Sequence, residues 1–305
     1  MSLEGLLKEP DVTYAMEAHD GMSARIAEGA GFPVLWASGL CISTSCGVRD
    51  SNEISWSNML DRVRSISLCT NLPILVDGDS GHGNYNSARV FARHAQESGA
   101  QGVCYEDKQF PKMNSFYGDA PDLIETREFM VKIAAAREVV EDDFMIVART
   151  ESLIAGAGVD EALERGRAYI AAGANALFIH SRQEEVNEIA EFCRRWDRCA
   201  PLVIAPTTYG RDLDPQAFEE LGVSMVIWAN QSLRAAYKAM EKVACHLSKN
   251  RSLVSLPEMI QVQEIFEHYA YPEMDEAERR LVGFVESCME GSVERSVPTN
   301  NRTSA

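Results

Sequence analysis

The chain predicts a single (β/α)8 barrel, an α/β fold of eight parallel strands extended by extra C-terminal helices. Eight short, near-continuous apolar runs recur along it, as expected of strands buried on both faces. Helix-period segments lie between them. Several of these helices end in glycine just before the next run, at Gly99-Ala100, Gly173-Ala174 and Gly222-Val223. Glycine there supplies the left-handed cap that releases the chain into the sheet.

In order, the first strand is read over Thr13–Ala18, the helix Ser23–Glu28 follows, and the second strand is Val34–Ser38. A long segment read as a loop leads to the strand Ile74–Asp79, the helix Asn86–Glu97 and the strand Gly102–Asp107. A second long loop, from Phe110 to Asp122, is Gly- and Pro-bounded and precedes the helix Thr126–Glu141. The strand Met145–Thr150, helix Asp160–Ala172, strand Ala176–Ser181 and helix Glu184–Arg195 continue the alternation. The strand Leu202–Thr207, helix Pro215–Leu221 and strand Met225–Asn230 complete eight units. Helices are then expected at Leu233–Leu247, Leu256–Tyr269 and Asp275–Met289. The expected organisation is a barrel over 1–248, a helical extension over 249–290 and a polar, aperiodic, disordered tail over 291–305. Amphipathic helices beyond a complete barrel need a surface to bury against, and a neighbouring subunit is one candidate.

The net charge of −17, from 29 basic and 46 acidic residues, excludes nucleic acid as a natural partner. No run of 18 apolar residues exists, and the opening Met1-Ser-Leu-Glu-Gly has no secretory pattern, so no membrane partner is expected. Eight cysteines without a Cys-x-x-Cys pair suit reduced thiols and a cytoplasmic protein, and six histidines without ligand spacing argue against zinc.

The chemistry-bearing residues gather at strand ends, where barrel enzymes build their sites. Asp77 and Asp79, two apart, are expected on one face, with Glu106 one strand over. Carboxylates so gathered repel each other unless a cation sits among them, and a hard-oxygen set of this kind suits Mg²⁺. Trp36-Ala-Ser38-Gly39-Leu40 reads as an anion cradle of a serine hydroxyl and successive backbone N–H groups. Arg149 can fork onto a carboxylate or phosphoryl group, with an ion pair to Glu151 as its plainer use, and His180 can donate to a substrate oxygen. Asp50 lies in the first long segment. The second carries Lys112, Asn114 and Ser115, which could close over a bound anion and exclude water.

Together, Trp36-Ala-Ser-Gly-Leu, Gly47-Val-Arg-Asp-Ser-Asn-Glu, Asp77-x-Asp-x-Gly-x-Gly-Asn, Glu106-Asp-Lys-x-Phe-Pro-Lys-x-Asn-Ser and Val147-Ala-Arg-x-Glu resemble the phosphoenolpyruvate mutase family of the isocitrate lyase superfamily. Ile179-His-Ser, Pro206-Thr and Val226-Ile-Trp-Ala-Asn extend the likeness from about Tyr14 to Ser248. The resemblance implies interconversion of phosphoenolpyruvate and phosphonopyruvate. It also implies Asp77 as direct Mg²⁺ ligand, with Asp50, Asp79 and Glu106 on the metal's waters. Trp36, Ser38, Gly39 and Leu40 would receive the carboxylate end, joined by Ser115. Arg149 and His180 would meet the phosphoryl group, and Lys112 and Asn114 would close from the loop. Asp50 would act either as phosphoryl acceptor or only as a positioning group beside a loose metaphosphate-like passage.

The loop discriminates among relatives. Lyases of the superfamily carry a cysteine there and this chain does not, while phosphonopyruvate hydrolase has Thr-Ser where this chain has Asn114-Ser115. The resemblance further implies a homotetramer with helices exchanged between barrels, and a phosphonopyruvate decarboxylase as functional partner, because the equilibrium favours phosphoenolpyruvate. Gly78, His82, Ala37 and Thr150 depart from the family's usual Ala, Tyr, Gly and Val, and are expected to bear on substrate choice.

Overall fold

A computed structural model describes residues 2–289. All eight expected strands form: β1 (Thr13–Ala18), β2 (Val34–Ala37), β3 (Ile74–Asp77), β4 (Gly102–Glu106), β5 (Met145–Thr150), β6 (Ala176–Ile179), β7 (Leu202–Ile204) and β8 (Met225–Trp228). They pair in parallel in chain order, and β8 closes on β1, so the sheet is a closed barrel. Several strands stop one to three residues before their expected ends. The polar residues there leave the ladder; Ser38, for example, caps the next helix instead.

Between strands run α2 (Gly21–Gly29), α5 (Tyr85–Glu97), α6 (Thr126–Arg137), α7 (Gly158–Ala171), α8 (Asn187–Trp196) and α9 (Pro215–Leu221). The expected glycine caps are present, with φ of +95° at Gly99, +107° at Gly173 and +70° at Gly222. The segment read as a long loop between β2 and β3 instead holds α3 (Gly39–Ser45) and α4 (Trp56–Ser67). In α4, Met59, Leu60, Val63 and Ile66 form one buried stripe, and Ser55 caps the helix by accepting the Asn58 N–H at 3.2 Å. Its serine- and asparagine-rich start masked that period. The short α1 (Leu3–Lys8) was also not anticipated. Its Leu3, Leu6 and Leu7 join the cluster inside the barrel.

Strand alternation sorts side chains into two cores. Val34, Trp36, Leu75, Cys104, Val147 and Phe178 fill the barrel interior. Leu35, Ala37, Val76, Val103, Tyr105 and Ala148 face the surrounding helices. The same parity, carried past the strand ends, decides which polar residues enter the mouth.

The chain divides into two compact units, the first running to Tyr237 and the second beginning at Lys238. α10 (Gln231–Asn250) follows β8, and the later helices are α11 (Val262–His268) and α12 (Tyr271–Met289). α11 starts later than expected, well beyond Pro257. In the second unit Phe266 and Tyr271 bring their rings within 4.8 Å across the α11–α12 turn. The tail expected to be disordered, 291–305, lies outside the described residues.

Candidate active site

At the C-terminal mouth of the barrel, Trp36, Ser38, Leu40, Asp50, Asp77, Glu106, Lys112, Asn114, Ser115, Arg149 and His180 line one cavity. Of the expected site residues, only Gly39 and Asp79 are not in that lining, and both touch it through partners. The Gly39 N–H donates to Asp77 Oδ2 at 3.1 Å, so the first amide of the expected anion cradle is engaged by a carboxylate. Ser38 accepts the Cys41 N–H at 3.3 Å as cap of α3. A side chain at position 39 would meet Asp77 Oδ2 at 3.0 Å and Asp79 Oδ1 at 3.2 Å, so glycine lets the two carboxylates approach the chain.

The acidic side of the cavity is dominated by Lys112. Its ammonium lies 2.9 Å from Asp50 Oδ1 and 2.5 Å from Asp79 Oδ1, the latter without hydrogen-bond alignment. Burial alone would lower the Lys112 pKa, but Asp50 and Asp79 hold it well above the usual value. Burial pushes Asp77 and Asp79 each from 3.8 to about 6 against the pull of Lys112. Asp50 is held below its usual value because Lys112 and Asn114 outweigh its burial. Asn114 donates to Asp50 Oδ2 at 2.6 Å, and Asn52 bridges the Lys112 N–H and Asp79 Oδ2, both at 2.7 Å. Asp77 and Asp79 do share a location, although not through strand alternation. β3 ends at Asp77, and Asp79 sits in a left-handed turn with φ of +50°.

The basic side centres on Arg149. Glu106 and Arg149 are register partners across β4 and β5, and Arg149 Nε lies 3.5 Å from Glu106 Oε2. The guanidinium also pairs with Glu151 Oε1, stacks over Phe178 at 5.0 Å and donates to His180 Nδ1 at 2.7 Å. His180 Nδ1 also lies 3.1 Å from Glu151 Oε1, so it stands between a guanidinium donor and a carboxylate. Burial, reinforced by Arg149, lowers the His180 pKa and favours the neutral imidazole. Glu151 is held well below its usual value because Arg149 and His180 overcome its burial. The Ser115 hydroxyl donates to Glu151 Oε2 at 2.8 Å and accepts from Lys108 at 2.9 Å and Arg149 at 3.1 Å. Ser115 thus locks the loop to the basic group.

From the sequence Glu151 is expected only as an ion-pair partner, and Lys108 and Asn52 have no expected role. Glu151 in fact joins Arg149, His180 and Ser115, while Lys108 Nζ lies 3.1 Å from Glu106 Oε1. The available signal was parity: residues 149 and 151 must share a face. The four departures from the family pattern do not line the cavity. Ala37 faces the helices, Thr150 bonds to Asp107, and His82 packs on Phe91 at 4.5 Å. A methyl at Gly78 would meet Val103 at 2.6 Å and Tyr105 at 2.7 Å.

Among the described residues, no three Asp, Glu, His or Cys groups converge to chelate one ion. The cavity nevertheless suits a hydrated divalent cation. Two buried carboxylates ionise reluctantly, and Asp79 Oδ1 and Glu106 Oε1 meet ammonium groups without hydrogen-bond alignment. One direct ligand with the other carboxylates on metal-bound waters fits this donor set.

Residues 3–248 match the family model described as Phosphoenolpyruvate phosphomutase. The chain belongs to the phosphoenolpyruvate phosphomutase family. It is 47% identical over 279 residues to a phosphoenolpyruvate phosphomutase of Streptomyces hygroscopicus, covering 90% of this chain and 89% of that one. The solved phosphoenolpyruvate phosphomutase from Streptomyces platensis subsp. rosaceus superposes with a TM-score of 0.88 at 35% identity, covering 92% and 98% of the two chains. A phosphonopyruvate hydrolase solved with oxalate and Mg²⁺ gives 0.84 at 36% identity, covering 92% and 100%.

Proposed function

We propose that this chain interconverts phosphoenolpyruvate and 3-phosphonopyruvate with Mg²⁺, moving a phosphoryl group between oxygen and carbon. The observation that carries the reading is the pairing of loop and rim. Lys112 and Asn114 both reach Asp50 on one side of the cavity, while Arg149 and His180 stand on the other. A phosphoryl group in transit needs fixed positive charge, in-line positioning and exclusion of water, and little covalent chemistry.

In this reading Asp77 binds the metal, while Asp50, Asp79 and Glu106 hold its waters. When bound, Mg²⁺ supplies charge for the enolate oxygen and the carboxylate end of the substrate. Trp36, Ser38, Gly39 and Leu40 bound the carboxylate end. Arg149 and His180 meet phosphoryl oxygens, and the loop bearing Lys112, Asn114 and Ser115 closes the chamber. Asp50 either accepts the phosphoryl group or orients it in passing. The loop over 110–122 carries no cysteine, which supports phosphoryl transfer over carbon–carbon cleavage. Asn114 favours mutase over hydrolase because its amide donates to Asp50 and ties the loop to the rim.

The decisive experiment is phosphorus NMR of the purified protein with phosphonopyruvate and Mg²⁺. Phosphoenolpyruvate is the expected product, and a chelator is expected to stop its formation. Inorganic phosphate with pyruvate would instead identify a hydrolase and overturn the reading. A phosphonopyruvate decarboxylase in the same cytoplasm would draw the unfavourable direction forward. We also propose a homotetramer with C-terminal helices exchanged between barrels. Exposed Leu281, Val282 and Val285 on α12 support it, and sedimentation analysis tests it.

A further inference from the structure

Asp107 follows Glu106 at the end of β4 but faces away from the cavity, between β5 and α7. It is fully buried. Its Oδ1 accepts the Glu151 N–H at 2.8 Å. Its Oδ2 accepts the hydroxyls of Tyr169 at 2.7 Å and Thr150 at 3.0 Å, with Arg165 Nη1 at 3.4 Å. The backbone adds two contacts. The Asp107 N–H donates to the Arg149 carbonyl at 3.1 Å, and its carbonyl accepts the Ile124 N–H at 2.9 Å. Arg165 Nη1 reaches the Ile124 carbonyl as well, at 2.9 Å. One residue therefore joins the strand end carrying Arg149 and Glu151, the return of the 110–122 loop, and α7.

Burial of a carboxylate carries a large desolvation cost and is tolerated only when its lone pairs are matched, as they are here. Packing alone would be served by apolar residues at these positions. What apolar residues could not supply is direction. The Asp107 carboxylate holds the Glu151 amide and the Thr150 hydroxyl, the two residues that follow Arg149. Through Arg165 it reaches the Ile124 carbonyl at the return of the loop that carries Lys112 and Asn114.

We propose that Asp107, supported by Arg165 and Tyr169, is a positioning residue. From behind the strand it sets Glu151 against Arg149, so aiming Arg149 into the cavity, and through Arg165 it anchors the returning end of the loop. It touches no substrate and acts through these neighbours. Its rate consequence rests on the phosphoryl-transfer reading, whereas its anchoring of the loop does not.

Two readouts test it in the full-length protein. The first is kcat for phosphonopyruvate turnover in Asp107→Asn, Glu151→Gln and the double variant. Asp107→Asn keeps one acceptor but turns an amide N–H₂ toward the Tyr169 and Arg165 donors, and kcat is expected to fall about 10- to 100-fold. The double variant is expected to lose far less than the product of the single losses, because both act through one arrangement of Arg149 and His180. Losses that simply multiply would overturn the proposal. The second readout is chymotrypsin cleavage of the loop at the exposed Phe116 and Tyr117 without substrate, expected to be several-fold faster in Asp107→Asn. If Asp107→Asn does not fold, Tyr169→Phe, which lacks one hydroxyl, carries both readouts in milder form. Wild-type kcat and wild-type cleavage in the folded variants would refute the assignment. Should the wild-type protein not turn over phosphonopyruvate, the functional reading fails, and the cleavage rates still decide the positioning.

Discussion

At the end of β5, Arg149 lines the cavity and Glu151 pairs with it from beneath the surface, while Thr150 between them faces Asp107 and α7. β2 and β3 repeat the pattern: Trp36 and Asp77 turn inward, whereas Ala37 and the Cα of Gly78 turn toward the helix layer. The inward face is a set of strongly perturbed charges held apart or together by a few contacts. The outward face is tightly packed, and Asp107 within it is matched by several donors. Residues adjacent in sequence thus belong to different problems. Inward positions answer to chemistry, and outward positions answer to packing and aim. The family departures at Ala37, Gly78, His82 and Thr150 fall outside the cavity wall.

Breaking the inward face at its proposed metal end has the largest expected effect. Asp77→Ala is expected to lower Mg²⁺-dependent turnover by roughly 10³-fold or more, since it removes the proposed direct ligand. Near-normal turnover without metal in that variant would contradict the metal assignment. Asn114→Ala removes the amide that ties the loop to Asp50 and is expected to reduce kcat by about 10- to 100-fold, with thermal stability unchanged. A rate equal to wild type would take the loop out of the mechanism. On the outward face, Gly78→Ala drives a methyl against Val103 and Tyr105. It is expected to cost about 1–3 kcal/mol of stability in denaturant titration, with the ratio of products unchanged. A shifted product ratio would show that position 78 does govern chemistry.

The smallest expected effect concerns pH. Burial raises Asp77 and Asp79 from 3.8 to about 6, so between those values the folded state holds more protons than the unfolded chain. These two groups therefore contribute a loss of stability as pH rises through that window, while His82 and His180, lowered by burial, contribute a gain. Relative to an Asp77→Asn, Asp79→Asn variant the chelated protein is expected to show the more negative slope, and saturating Mg²⁺ is expected to offset the loss. Thermal melts across the window, with chelator and with Mg²⁺, measure both slopes. A slope identical to that of the double variant would contradict the raised carboxylates.

Much was legible in the chain because strand and helix periods are local properties. The eight apolar runs, the glycine caps at Gly99, Gly173 and Gly222, and the acidic strand ends could all be read without a partner segment. The weaker periods were not. α4 begins among serines and asparagines, and α1 is too short to show a repeat, so its role depends on the barrel it packs into.

By itself, then, the sequence determined the barrel, the order of its units and the residue types at the cavity, because these follow from periodicity and from the spacing of charged groups along one chain. Only the tertiary structure decided which of those groups meet. Asp79 reaches the cavity through a left-handed turn, and Ser115 is occupied in holding Arg149 and Glu151. Lys112 finds Asp50 and Asp79 from a distant loop, and Asp107 supports the site from the opposite face. Such pairings depend on where closure of the barrel places separate strand ends and on how burial reweights their charges, and neither is a local property of the chain.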